Sequence, residues 1–124
     1  MAKKINHLLK AKENYTVAGT LWIEHEGERC FGVGRMELLQ LIGNTGSINK
    51  AAKEMGMSYK KAWNMISNLN TQWKEPMVIT QSGGEGGGGS SLTKAALELI
   101  THHTAMRKRF LHFLAIEKEK LIHL

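Results

Sequence analysis

The sequence predicts an α+β domain, and three features of its pattern lead to this fold class. Apolar residues alternate along two short segments near the N-terminus, which is typical of β-strands. Segments with helical spacing follow between residues 35 and 73. Two short strand-like segments then flank a glycine-rich stretch, and a long helical segment comes last. The expected order of elements is therefore β-β-α-α-α-β-loop-β-α.

The composition narrows the class of protein. The chain has 124 residues, of which 42% are hydrophobic, and this fits one domain or one domain with an appendage. No run of about 18 apolar residues is present to span a membrane, and the first residues lack the apolar stretch of a signal peptide. Cys30 is the single cysteine, so no disulfide can form within the chain. We therefore expect a cytoplasmic protein with Cys30 as a small buried hydrophobe.

The charge is concentrated in the middle of the chain. The net charge is +6, and the segment from Ser47 to Lys74 contains a single acidic residue, Glu54. The same segment carries five lysines, which are Lys50, Lys53, Lys60, Lys61 and Lys74. A locally basic segment of this kind indicates a polyanionic partner.

The first two strands are expected to form a hairpin over residues 15–33. One face of the first strand is apolar by alternation at Val17, Gly19, Leu21 and Ile23. After the polar turn "EHEGE", Phe31 and Val33 repeat the pattern. The helix "RMELLQLIGNTG" follows, and Gly43 and Gly46 are expected to end it.

The next two helices are joined by a glycine turn. Ser47 is a good N-cap for "INKAAKEM", and Ser58 for "YKKAWNMISNLNTQW". Gly56 can adopt a positive φ at the turn, and the small Ala52 lets the second helix cross closely. Apolar contacts between the helices are expected from Met55, Met57, Ala62, Ile66 and Leu69. This spacing is the helix-turn-helix pattern, which presents a helix to the major groove of DNA.

The second helix of this pair has a buried face and a polar face. At 100° per residue, Ala62, Ile66 and Leu69 lie within about 60° of one another. Residues on the opposite side, at roughly 140–200°, can bond to base edges or phosphates, and they are Lys60, Asn64 and Ser67. Tyr59 and Trp63 fall on one flank and Lys61 on the other, and Trp63 is expected to pack on a neighbouring element. The alternative to a DNA-contacting face is an ordinary solvated face.

The stretch "SGGEGGGGSS", residues 82–91, has three interpretations. Gly84, Gly86 and Gly89 match the dinucleotide fingerprint, but no βαβ unit surrounds them. A phosphate-binding loop would need lysine where Ser90 stands. A flexible linker is the second interpretation. We favour the third, in which two strands and this loop form the wing of a winged helix, whose glycine amides lie close to DNA phosphates.

These motifs together resemble a known family. The stretch "GRMELLQLIGNTGSINKAAKEMGMSYKKAWNMISNLN", followed by "GGEGGGGSSLTKAALELI", is similar to the N-terminal domain of the ModE-type molybdate-dependent transcription regulators. The resemblance covers about half the chain. It implies a LysR-like winged helix-turn-helix, transcription control in bacteria or archaea, a recognition helix over residues 58–69, a wing over residues 83–89 and dimerisation through terminal helices.

The predicted DNA contacts combine the polar face, the helix caps and the wing. They are Ser47, Ser58, Tyr59, Lys60, Lys61, Asn64, Ser67, Gly84, Gly86 and Gly87. Full-length members of the family carry further C-terminal domains that bind molybdate, and none follows the last helix in this sequence. The expectation is therefore a single-domain relative with no cofactor, and the sequence assigns it no effector.

The last helix is predicted to make the protein a homodimer. Apolar positions recur at steps of four and three at Leu92, Ala96, Leu99, His103, Met106, Phe110 and Phe113. A monomer would leave a large apolar patch exposed beyond residue 109, unless the helix folds back on its own domain. We expect residues 1–93 to form the DNA-binding part and residues 94–124 the dimerisation helix. Its expected interface residues are Leu99, Met106, Phe110 and Phe113.

Catalysis and metal binding find little support in the sequence. The chain contains no aspartate, so no Ser-His-Asp set is possible, and an enzyme is not expected. His102, His103 and His112 share a helix but are not spaced to bind one metal ion, so we expect surface or interface histidines. The alternative function is a winged helix that binds proteins without recognising a DNA sequence. The lysines of the central segment favour DNA.

Overall fold

The computed structural model describes residues 4–81 and 89–123. The order of elements is the predicted one, preceded by two short 3₁₀ turns at Asn6–Leu8 and Lys12–Asn14. The strands are β1 (Trp22–His25), β2 (Glu28–Gly32), β3 (Val78–Gln81) and β4 (Gly89–Leu92). The helices are α1 (Val33–Thr45), α2 (Ile48–Met55), α3 (Tyr59–Gln72) and α4 (Lys94–His123).

The chain divides into two compact units. The core unit is Trp22–His103, and it contains both hairpins, the first three helices and the start of α4. The terminal unit consists of the described residues up to Leu21 and those from Thr104 onward. Within the terminal unit, the amide of Lys10 donates to the hydroxyl of Tyr15 at 3.2 Å, and the ring of Phe110 lies against the backbone of Gly19.

In the described residues the two hairpins form two separate two-stranded sheets. β1 pairs antiparallel with β2, with Ile23 opposite Phe31 and an irregularity after Ile23. Residues 15–21 are not a strand, contrary to the prediction. β2 ends at Gly32 because α1 begins at Val33, and in the hairpin Trp22 is already paired with Gly32. No further length of β2 remains for residues before Trp22 to pair with.

The hydrophobic core of the core unit is built from residues of its helices and strands. Phe31 of β2 and the α1 residues Leu38, Leu39 and Ile42 are fully buried. The rest of the core consists of Ile48, Ala51, Ala52, Ala62, Ile66, Leu69, Met77, Val78, Ala96 and Leu99. Burial of this apolar surface supplies the main favourable free energy of folding. α1 lies at the centre of this arrangement, since it packs against β2, α2 and β4.

His103 belongs to this core, so the expectation of a surface or interface histidine is wrong for this residue. Its exposed fraction is 0%, and its ring meets Phe31 edge to face at 5.1 Å between centroids. Nδ1 lies 3.0 Å from the sulfur of Met36. The stripe that includes Ala96 and Leu99 continues to position 103 at helical spacing, so the packing of α4 against its own unit buries the imidazole.

Cys30 is buried as predicted, with 2% of its surface exposed. Burial raises the pKa of the Cys30 thiol, and the nearby guanidinium of Arg35 opposes this shift. The thiol therefore stays protonated and behaves as a small apolar side chain.

The predicted helix caps are confirmed. The hydroxyl of Ser47 accepts from the amide of Lys50, and that of Ser58 from the amide of Lys61, each at 3.1 Å. Gly46 and Gly56 have φ of 72° and 70°, so each ends its helix in the left-handed conformation. Gly43 does not end α1, because the helix continues to Thr45.

Substitution of Gly56 tests the turn between α2 and α3. A Cβ at this position would meet no atom within 4 Å, so Gly56→Ala should act through its positive φ alone. The left-handed conformation costs an L-residue about 1–2 kcal/mol, and we expect the free energy of unfolding to fall by that amount. Gly56→Asn should lose less, because asparagine tolerates this conformation better. Urea unfolding monitored by circular dichroism measures both variants.

Gly34→Ala is the matched control. Gly34 lies in α1, has no positive φ and has open space at its Cβ position. Alanine should therefore stabilise the protein there, by up to about 1 kcal/mol. A Gly56→Ala protein at least as stable as the parent would contradict the account of the turn.

Candidate nucleic-acid interface

The face of α3 that points away from the core is polar, as predicted. Ala62, Ile66 and Leu69 are buried, with exposed fractions of 5% or less. On the other side, Lys60 and Asn64 are exposed and Ser67 is half-buried. α3 therefore presents an ammonium, a carboxamide and a hydroxyl group along one side, and each of these can bond to base edges or phosphates.

Two aromatic side chains lie on one flank of this face. Tyr59 is 51% exposed and Trp63 is 50% exposed. We expected Trp63 to pack on a neighbouring element, but half of its surface is open. An exposed aromatic ring beside a basic face offers an apolar surface to a partner.

The opposite flank of α3 forms a concavity of about 430 Å³ with α1, which we call the Arg35 concavity. It is lined by Arg35, Ser58, Lys60, Lys61, Asn64, Met65 and Asn68. Arg35 was absent from the predicted contacts. It comes from α1, it is half-buried, and its Nη2 donates to Oδ1 of Asn68 at 3.3 Å. In the sequence, Arg35 is a single basic residue at the start of a predicted helix. Only the tertiary packing brings it beside α3.

The wing strands are attached to the turn between α1 and α2. The amide of Ser90 in β4 donates to the carbonyl oxygen of Gly46 at 2.9 Å. A Cβ at Gly89 would lie 3.2 Å from the same oxygen, so the absence of a side chain allows this close approach. Across the hairpin, the hydroxyl groups of Thr80 and Ser90 are 3.3 Å apart.

A smaller concavity of about 220 Å³ lies between these strands and the start of α2. Its lining includes the α2 cap Ser47 and the aromatic residue Tyr59 on one side, and Thr80 and Ser90 on the other. The wing strands therefore lie beside the start of the helix-turn-helix. The predicted wing contacts Gly84, Gly86 and Gly87 lie outside the described residues.

The basic side chains of the helix-turn-helix point to solvent. Lys50 and Lys53 of α2, and Lys60 and Lys61 of α3, are all exposed. In residues 4–81 and 89–123, no carboxylate forms an ion pair with any of them. This surface can therefore attract an anionic partner without first breaking an internal ion pair.

Over the described part of the chain, no three His, Cys, Asp or Glu residues come together in a way that could hold a metal ion. Among the described helices, none has the length and apolarity needed to cross a membrane.

The fold and this surface together define the class of protein. Three helices with a tight glycine turn, followed by a β-hairpin beside the second and third helices, form a winged helix-turn-helix. Comparison with known families agrees with this class. Residues 33–97 match the family described as bacterial regulatory helix-turn-helix protein, lysR family, and the chain belongs to this family.

Individual relatives confirm the resemblance to the ModE type. The molybdenum-pterin-binding protein MopB of Rhodobacter capsulatus is 43% identical over 84 residues, covering 68% of this chain and 31% of MopB. The molybdenum transport protein ModE of Herbaspirillum seropedicae is 36% identical over 106 residues, 86% of this chain and 38% of that protein. The DNA-binding transcriptional dual regulator ModE of Escherichia coli K12 is 42% identical over 66 residues, 53% of this chain and 25% of the regulator. The chain thus spans less than two fifths of the length of these relatives and is consistent with a ModE-type N-terminal domain.

Proposed function

We propose that this chain is a sequence-specific DNA-binding transcription regulator that acts as a homodimer in the cytoplasm. The observation that carries the proposal is the exposed polar face of α3, with Lys60 and Asn64 opposite the buried residues Ala62 and Ile66. A helix held in this way can enter the major groove with its polar side facing the base edges. The proposal includes no cofactor and no catalytic activity.

Each part of the surface has a distinct role in this proposal. Asn64 stands near the middle of the exposed face, and a carboxamide can bond to N6 and N7 of adenine at once. Lys60 and Ser67 extend the readout on either side. The sugar–phosphate backbone is contacted by Lys61, by Tyr59 and by the helix caps Ser47 and Ser58. The wing glycines Gly84, Gly86 and Gly87 add backbone contacts that do not depend on base sequence.

The exposed apolar residues of α4 support the homodimer. Phe113 is 54% exposed and Ile116 is 39% exposed. They are three residues apart, so they share one side of the helix. Among the other predicted interface residues, Leu99 is buried in the core unit, and Met106 and Phe110 are half-buried. The proposed contact between copies is therefore centred on Phe113 and Ile116.

The two parts of the chain have different roles in this proposal. We assign residues 1–93 to DNA binding and residues 94–124 to dimerisation. Ala96 and Leu99, near the start of α4, belong to the core of the core unit, so this helix would also hold the DNA-binding part. A twofold dimer presents two copies of α3, and the operator should then be an inverted repeat.

Selection of bound sites from random duplex DNA tests the proposed function. The intact chain should enrich an inverted repeat whose half-sites lie about one helical turn, roughly 34–36 Å, or a multiple of that apart. Selection repeated at several salt concentrations separates sequence recognition from attraction to the phosphates. Binding without any enriched sequence would contradict the proposal. No binding to duplex DNA at low salt would favour the protein-interaction module instead.

Asn64→Ala tests sequence readout by α3. Loss of a bidentate base contact should weaken binding to the selected site by roughly 1–3 kcal/mol and leave binding to random duplex nearly unchanged. Fluorescence anisotropy with both duplexes measures the difference. Asn14→Ala, at an exposed asparagine of the second 3₁₀ turn, is the control and should bind both duplexes as the parent does. Equal losses on the two duplexes would mean that Asn64 does not read a base.

Phe113→Glu tests the dimer. A carboxylate in an apolar contact between copies should weaken association by more than about tenfold, since the buried apolar area is lost and a charge is desolvated. Sedimentation equilibrium of the intact chain and the variant measures this. Ala115→Glu adds the same charge at an exposed position, about 200° around the helix from Phe113, and should remain a dimer. A monomeric parent at micromolar concentration would contradict the homodimer, as would a Phe113→Glu protein that associates normally.

A further inference from the structure

We propose that the Arg35 concavity holds a backbone phosphate of the bound duplex, with Arg35 of α1 as its principal cation. This inference rests on the proposed function, because it supposes that α3 lies in the major groove. It adds a contact from outside the helix-turn-helix and gives the two flanks of α3 separate phosphate sites.

The side chains that line the concavity suit an anion. Three of them are cationic, those of Arg35, Lys60 and Lys61, and the lining contains no carboxylate. The described residues include no acidic partner for Arg35 in an ion pair. Ser58, the cap of the fourteen-residue helix α3, also lines the concavity. The positive end of that helix adds to the attraction for a negative group.

Arg35 is held in place before any ligand binds. Its side chain is half-buried, and Nη2 donates to Oδ1 of Asn68 on the flank of α3. Nε is buried and has no hydrogen-bond acceptor among the described residues. Because Nε is buried, the donors open to a ligand are the four N–H groups of the two terminal nitrogens, and the structure shows one bond from these nitrogens to α3. A preorganised fork with donors to spare matches the geometry of a phosphate and loses little side-chain entropy on binding.

The position of Arg35 on the flank favours a phosphate over a base edge. An α-helix about 10–12 Å across nearly fills a major groove about 12 Å wide, so one phosphate strand passes along each flank. The Tyr59 flank leads to the concavity beside the wing strands. The Lys61 and Asn68 flank leads to Arg35. Phosphates of the strand that the wing does not contact would therefore pass beside Arg35.

The salt dependence of binding tests this contact. For the intact chain and Arg35→Gln, the association constant is measured on the selected site and on random duplex over a range of salt concentrations. Each phosphate contact contributes a slope of about −0.9 to the plot of log K against log salt. Arg35→Gln should make the slope less negative by about 0.9 on both duplexes and weaken binding at least about tenfold at low salt.

Two further variants keep the test decisive. Arg35→Lys keeps the charge, so it should keep the slope but bind both duplexes more weakly, because lysine lacks the planar fork. Arg29→Gln removes the same charge from an exposed arginine of β2 that lies over the ring of Trp22 at 3.7 Å. Its slope should equal that of the parent. Circular dichroism confirms that each variant is folded.

Several results would overturn the inference. An unchanged salt slope in Arg35→Gln would do so, as would a loss of its affinity confined to the selected site. An equal change of the slope in Arg29→Gln would also overturn it. If Arg35→Gln fails to fold, parent-like affinity of Arg35→Lys for both duplexes would overturn it. These outcomes leave DNA binding by the parent intact, so they contradict the Arg35 contact alone. If the parent binds no duplex at any salt concentration, the proposed function fails first.

Discussion

The close crossing of α2 and α3 is the constraint on which the rest of the structure depends. Ala52 of α2 is 1% exposed, and Gly56, which ends α2 before the turn to α3, has a φ of 70°. α3 packs against α2, and Ala62 of α3 is fully buried in the same core cluster as Ala52 of α2. That burial fixes the rotation of α3 about its axis. Lys60 and Asn64 point to solvent as a consequence, so packing in the core determines which side chains a DNA groove can meet.

α1 positions the groups that lie on the two sides of α3. It packs against α2, β2 and β4, and its last turn leads to Gly46, whose carbonyl oxygen accepts from the amide of Ser90. The wing strands are therefore placed relative to the helix-turn-helix by a backbone hydrogen bond. At its other end, α1 places Arg35 against Asn68 on α3. One helix thus positions the groups on both sides of α3, and the proposal of two separate phosphate sites rests on this arrangement.

The sequence was most informative where the determinants are local. The caps Ser47 and Ser58, the turn at Gly56 and the two faces of α3 depend on residues within a few positions of one another, and all were predicted. The sequence-based predictions were wrong where residues far apart in the sequence determine the local structure or the burial of a side chain. The extent of the first hairpin depends on where β2 gives way to α1, and the burial of His103 depends on α4 packing against Phe31. Arg35 was missed because its partner Asn68 is 33 positions away.

Nuclear magnetic resonance of the labelled protein with its selected duplex tests most directly whether the exposed face of α3 reads DNA. The side-chain carboxamide of Asn64 and the backbone amides from Lys60 to Ser67 can be followed individually during a titration. These signals should shift most, together with those of Ser47 and Ser58 at the helix caps, and the carboxamide of Asn64 should become protected from exchange with water. Shifts confined to α4, with an unchanged Asn64 carboxamide, would contradict DNA readout by α3.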